Sequence, residues 1–258
     1  MVYQENFKVA ACQVDMNNRA TASALCSFMQ EAASVYCLNE GISIEDLKPA
    51  GLTWMLLKQY VIFDYLPPWN TVLTVKTWPR NITGLRALRD YSVTDSGGNS
   101  VARSVANWVL IDVDTRKLVK IDKVVKHLKA VEESAVSSAH RIKIEKQTGR
   151  KSNVLFKAGY SDIDINHHVN NISYIRWCLD TIPLNYQKEN ILNDFSVEYI
   201  EEIEEDIYVS SDAYINSNTF YHELKRKDTG GMVCRASSTW KGVQEGDKHF
   251  PPEPVDPA

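Results

Sequence analysis

The 258-residue chain predicts an α+β fold built twice over. Each half reads as a short strand, one amphipathic helix and then a series of β-rich segments separated by turn residues. The last β-rich segment of each half carries an arginine five residues before a tryptophan, Arg103 and Trp108 in the first, Arg235 and Trp240 in the second. A polar run precedes each helix, Asp15-Met16-Asn17-Asn18-Arg19 and Asp164-Ile165-Asn166-His167-His168, with arginine standing where the second run has histidine. Such self-similarity is the mark of a duplicated unit.

In the first half, residues 20–38 set Leu25, Phe28, Met29, Ala32 and Tyr36 at helical spacing, and Gly41 is placed to stop the helix. Strand candidates follow at 53–66, 70–80, 85–95 and 100–114, with Ser96-Gly97-Gly98-Asn99 as a turn. In the second half, 154–160 leads into a helix over 170–182. Its buried face is marked by Ile172, Ile175, Leu179 and Ile182, and Pro183 ends it. Strand candidates recur at 193–200, 206–215, 219–227 and 232–242, with Asp228-Thr229-Gly230-Gly231 as a turn. A long helix packed on a curved antiparallel sheet, repeated once, is the double (tandem) hot-dog arrangement. Two such sheets run together edge to edge, which protects strand edges. The expected division is a first unit over 1–120, a basic connector over 121–152, a second unit over 153–245 and a Pro-rich tail over 246–258.

Composition removes several function classes. The chain is 44% hydrophobic and 24% charged, as water-soluble globular proteins are. It holds no run of about 20 apolar residues for a membrane span. The opening MVYQENFKVAACQVD lacks signal or transit character, so a cytoplasmic protein is expected. Five cysteines, at 12, 26, 37, 178 and 234, form no CxxC pair and imply neither a disulfide framework nor a zinc site. The net charge of -4 speaks against general nucleic-acid binding. Yet residues 116–157 carry twelve Lys or Arg against four acids.

The chemistry concentrates in Tyr160–Asn171, where carboxylates, amides and two imidazoles meet at a strand-to-helix junction. If the segment is extended, Asp164, Asn166 and His168 project the same way. Together they offer a base or nucleophile, an oxyanion donor and an imidazole. Helix capping is the plainer account of Asn166 or Asn170 taken singly, but it does not explain the density. Without an HxxxH spacing, no metal is expected.

The stretches SDIDINHHVNNISYIRWCLD, FSVEYIEEI, LTWMLLKQYVIFDYLPPWNTVLTVKTW and SVANWVLIDVDTRKLVKI resemble the acyl-ACP thioesterases, the plant enzymes of plastid fatty-acid synthesis and their bacterial relatives. The likeness runs in the same order over nearly the whole chain. It implies the double hot-dog fold and hydrolysis of fatty acyl-ACP, ending chain elongation, with no cofactor. It also implies a site of Asp164, Asn166 and His168 with an acid at Glu202, while Glu201 and Glu198 stay open because a one-residue slip reverses the face. Ile203 stands where plant members usually carry a cysteine, which disfavours a thiol mechanism, and the missing plant transit and anchor segments fit a bacterial, soluble member. The first half, with Arg19 in the histidine position, is expected to bind the acyl chain without catalysing. Trp54, Met55, Leu57, Phe28 and Met29 are candidates to line the channel or simply to fill the core. Lysines between 117 and 129 suit an acidic carrier protein, or form a solvated face. An acyl-CoA thioesterase on the same fold and a non-catalytic acyl-binding module are the rival functions. The sequence is compatible with a homodimer and does not fix the oligomeric state.

Overall fold

The computed structural model describes residues 1–125, 127–136, 144–145 and 149–243. The first unit runs through strand β1 (Tyr3–Lys8), helices α1 (Ala22–Asn39) and α2 (Ile44–Leu47), then strands β2 (Leu52–Phe63), β3 (Val72–Thr83), β4 (Arg86–Asp95) and β5 (Ser100–Asp112). A two-residue strand β6 (Leu118–Val119) and a short helix α3 (Ile121–Val124) follow. The second unit comprises strand β7 (Arg150–Lys157), helices α4 (Asn171–Asp180) and α5 (Leu184–Glu189), and strands β8 (Asn190–Tyr199), β9 (Tyr208–Asn216), β10 (Thr219–Arg226) and β11 (Met232–Gly242).

Among the described residues all strands belong to one antiparallel sheet, in the order β1-β3-β4-β5-β2-β8-β11-β10-β9-β7, with β6 beside β5. The order reads the same from either end, as a duplicated unit requires. The halves meet where β2 pairs with β8. There fully buried Val61 stands opposite fully buried Phe195, and the Lys58 ammonium lies 2.8 Å from Glu198. An apolar cross-strand pair of this kind contributes roughly 0.2–1 kcal/mol and fixes the register. This is the α+β tandem architecture that the sequence predicts.

Local chemistry explains the corners. The Asp95 carboxylate accepts the backbone N–H groups of Gly97 and Asn99, each at 2.9 Å, and Gly98 takes φ +80°, open to glycine at no steric cost. Thr21 caps α1 by accepting the Ala24 N–H at 3.2 Å, and Asn170 caps α4 by accepting the Ile172 N–H at 2.9 Å. The apolar stripe of α1 (Leu25, Phe28, Met29, Ala32, Tyr36) is buried as expected. In α4 the buried positions are Ser173, Tyr174, Ile175, Trp177 and Cys178, whereas Ile172 and Leu179 are only half-buried. The aromatics displace the aliphatic face because α4 packs against α1 as well as against β9 and β10. One continuous core therefore runs from Met29 and Phe63 to Trp177 and Phe220.

The connector behaves differently from a free link. Ile121 and Val125, one helical turn apart, are buried with Ile42, Leu47 and Leu110 in a second cluster. Beyond it, Val131 donates its N–H to the Pro79 carbonyl (2.8 Å) and the Trp78 indole donates to the Glu133 carbonyl (2.8 Å). The early part of 121–152 is thus joined to the first unit, and β7 begins at Arg150 rather than 153. Connector residues 126, 137–143 and 146–148 and the tail over 246–258 lie outside the described residues.

Candidate active site

The two polar loops share the main hydrogen bonds of their turn. In the first, Asp15 donates its N–H to the Arg19 carbonyl at 2.8 Å and accepts the Asn17 N–H on Oδ1 at 2.8 Å. In the second, Asp164 donates to the His168 carbonyl at 2.9 Å and accepts the Asn166 N–H on Oδ1 at 2.8 Å. Bridges Val14 to Ala20 and Ile163 to Val169 close the two loops, and Asn18 and His167 both sit in the left-handed region at φ 55° and 63°. The segment is therefore a tight turn rather than an extended strand, which corrects the alternation premise. The left-handed step leaves His167 exposed, while Asp164, Asn166 and His168 face one cavity.

The loops part at their last residue. Arg19, 5% exposed, donates from Nε to Asp15 Oδ2 (2.9 Å) and from Nη2 to the Gln187 carbonyl (3.2 Å). That carboxylate is consumed by structure. In the second loop, neither the Asn166 amide nor the His168 ring has a hydrogen-bond partner among the described residues, and both are half-buried at the cavity wall. Asn166 is thus free of any capping duty, which falls to Asn170.

The candidate acids Glu201 and Glu202 lie just beyond β8, which ends at Tyr199, rather than on the strand itself. The Ile203 carbonyl accepts the Val169 N–H at 2.8 Å, so the chain at 202–203 runs beside the end of the polar loop. Glu202 and Glu201 both line the cavity. Glu202 is held by Arg116, and the more exposed Glu201 by Arg226 at 3.2 Å. Glu198 lies away from the cavity, paired to Lys58 and Arg235. Tyr174, 2% exposed, has its phenol pushed up mainly by burial, with Cys234, Glu202 and Asp164 adding to it. One buried ring therefore feels both carboxylates. Ile203 is fully buried, and burial pushes the Cys178 thiol up, so neither position offers a thiolate.

The cavity has a volume of about 400 Å³, in the range of small-molecule sites. It runs from the polar loop into the first unit, past Trp54, Met55 and Leu57 on β2, Leu38 on α1, and Ile121 at α3. Two expected lining residues are elsewhere. Phe28 stacks on Phe7 with ring centres 4.9 Å apart, and Met29 is fully buried, because the apolar stripe of α1 belongs to the core and its other face meets the cavity. Sequence reasoning missed Arg89, whose guanidinium lies 4.2 Å from the Tyr36 ring centre and lines the cavity at 7% exposure. A charged residue amid the β-formers of β4 was its one visible signal. Among the described residues, no three His, Cys, Asp or Glu side chains gather as metal ligands.

Residues 1–128 match the family model for the acyl-ACP thioesterase N-terminal domain, and residues 145–242 the model for its C-terminal domain. The chain is 26% identical over 266 residues to a chloroplastic palmitoyl-acyl carrier protein thioesterase of Gossypium hirsutum, covering 93% of this chain and 64% of that protein. It is 25% identical to an oleoyl-acyl carrier protein thioesterase 2 of Arabidopsis thaliana, covering 96% and 71%. Among solved structures, it superimposes on an acyl-ACP thioesterase from Bacteroides thetaiotaomicron with a TM-score of 0.83 at 26% identity, covering 93% of this chain and 98% of that one. The fold is also that of a 12:0-ACP thioesterase from Umbellularia californica, with a TM-score of 0.85 at 21% identity over 94% and 98% of the two chains.

Proposed function

The chain belongs to the acyl-ACP thioesterase family, and we propose that it hydrolyses the thioester joining a fatty acyl chain to acyl carrier protein, releasing the free acid and ending elongation. The observation that carries this reading is the convergence of Asp164, Asn166, His168 and Glu202 on one cavity whose other end is apolar and lies in the first unit. The acyl tail occupies the part between β2, α1 and α3. The thioester sits at the polar loop, its carbonyl oxygen facing the Asn166 amide and the N-terminus of α4, where the helix dipole favours developing negative charge.

Two routes start from this arrangement. In one, the Asp164 carboxylate takes a proton from a water oriented by His168 and Glu202, and that water attacks the carbonyl carbon. In the other, the Asp164 carboxylate attacks and forms a mixed anhydride that water then opens. In both, the C–S bond breaks and the carrier thiol takes up a proton. In the first route the acyl carbon gains the oxygen of water, and in the second it leaves with an Asp164 oxygen, which water replaces by opening the anhydride at the aspartyl carbon. Repeated turnover in 18O water places label in the Asp164 carboxylate only by the second route.

The first unit, with Asp15 tied to Arg19, binds and does not catalyse. Exposed Lys117, Lys120 and Lys129 supply positive charge for an acidic carrier protein. A cytoplasmic location belongs to this reading, supported by free cysteines and by the lack, among the described residues, of a helix long and apolar enough to cross a membrane. Purified protein is expected to release thiol from long-chain acyl-ACP faster than from the matching acyl-CoA. The reverse order would make it an acyl-CoA thioesterase, and binding without release an acyl-binding module. Sedimentation of the same sample distinguishes monomer from homodimer.

A further inference from the structure

At the cavity, one ion pair joins the acid to the opposite unit: the Arg116 guanidinium donates to a Glu202 carboxylate oxygen. Arg116 belongs to the first unit, in the turn between β5 and β6. That turn is firmly built. The Asp112 carboxylate accepts the Thr115 N–H at 2.8 Å and its hydroxyl at 2.7 Å. The Arg116 N–H reaches the Asp112 carbonyl at 2.9 Å, and the Val113 N–H ties the turn to the Gly51 carbonyl at 2.8 Å. Arg116 closes the turn in the left-handed region, at φ 57°.

Stability does not account for this arrangement. A left-handed backbone costs a non-glycine residue about as much as an exposed ion pair returns, and this pair is 48% and 30% exposed. The same conformation closes turns away from this cavity, at Asn70, Asp206 and Ser217, so at Arg116 it is the contact made by the side chain that marks a function. At this site His167, in the polar loop, also adopts it. Arg116 does not itself line the cavity, whereas Glu202 does. The arginine therefore stands behind the acid. A glutamate alone has three freely turning side-chain bonds, and fixing it in advance removes that disorder from the reacting complex.

We infer that Arg116 is a positioning residue, which holds the Glu202 carboxylate in place at the cavity wall and makes the acid of the second unit depend on the docked first unit. The inference rests on the role proposed for Glu202 above. The test is a double-mutant cycle on the full chain with one acyl-ACP substrate, reading kcat, KM and melting temperature for Arg116→Met, Arg116→Lys, Glu202→Gln and the double variant. Arg116→Met is expected to lower kcat about tenfold, or ~1.4 kcal/mol. KM should stay within about twofold and the melting temperature unchanged, and Arg116→Lys should restore most of the rate. The double variant should be no slower than Glu202→Gln alone. A wild-type kcat in Arg116→Met, a raised KM with kcat intact, or losses that multiply in the double variant would each overturn the inference. If Glu202→Gln alone keeps the full rate, the role of Glu202 falls and this inference with it. If Glu202→Gln is slow and Arg116→Met is fast, only the inference falls. Arg116→Gln takes the same place in the cycle should the Met variant be unstable.

Discussion

Changing aspartate to asparagine at the same point of the two mirrored loops should separate chemistry from stability. Each aspartate accepts a backbone N–H on Oδ1 at 2.8 Å, and asparagine keeps that acceptor and nearly the same volume. At position 164 the substitution removes a charge that faces the cavity and has no cationic partner among the described residues. Losing a base or nucleophile costs about 10²–10⁴ in rate, equivalent to roughly 3–5 kcal/mol of barrier. The folded state loses only the extra strength of a charged acceptor, about 1 kcal/mol. At position 15 the same change strands Arg19, whose side chain is 6% exposed. Breaking a fully buried pair costs ~3–5 kcal/mol, but the Asp15 side chain is 31% exposed, and solvent screening lowers the expected loss to about 1–3 kcal/mol. For a chain of this size that is a fall of roughly 2–10 °C in melting temperature. Thiol release from acyl-ACP reads the first effect and thermal unfolding the second. The reasoning fails if Asp15→Asn slows turnover as much as Asp164→Asn does, or if Asp164→Asn keeps more than a tenth of the rate.

Other consequences are as direct. Leu57→Trp narrows the cavity on β2, so activity should move toward shorter acyl chains, and an unchanged length profile would place the tail elsewhere. Replacing Lys117, Lys120 and Lys129 together by Ser should raise KM for acyl-ACP at low salt and leave kcat alone, while equal KM values would remove these lysines from docking. His222 is fully buried, and burial lowers it to about 3. The unfolded chain takes up this proton below about 6.5, whereas the folded one does not, so stability should fall by up to ~1.4 kcal/mol per pH unit on going acid from there. His222→Gln should flatten that stretch of the stability profile, and the same slope in the variant would trace it to other groups.

Much of this fold was legible because its signals are local. Apolar spacing located α1, turn residues such as Gly98 and Gly230 separated the strands, and the Arg19-for-His168 exchange marked which loop keeps a free side chain. What escaped depends on tertiary placement. The grouping of Asp164, Asn166 and His168 came from a premise of extended chain, whereas the loop brings them to one cavity through a left-handed His167. Glu202 owes its position to the Ile203–Val169 hydrogen bond, which joins residues 34 apart and leaves no trace in strand periodicity. Phe28 and Met29 are large and apolar, which suits channel and core alike, and their place on the inner face of α1 puts them in the core. Ile121 and Val125 lay hidden in a run read for its lysines, and their i, i+4 spacing was the clue to packing.

The most direct test compares wild type with His168→Ala for release of carrier thiol from a long-chain acyl-ACP. His168 makes no side-chain hydrogen bond within the described protein, so its removal should leave the melting temperature within about 2 °C while turnover falls at least about 100-fold. Undiminished thiol release by a folded His168→Ala protein would contradict the account, because the imidazole facing the cavity would then take no part in the chemistry.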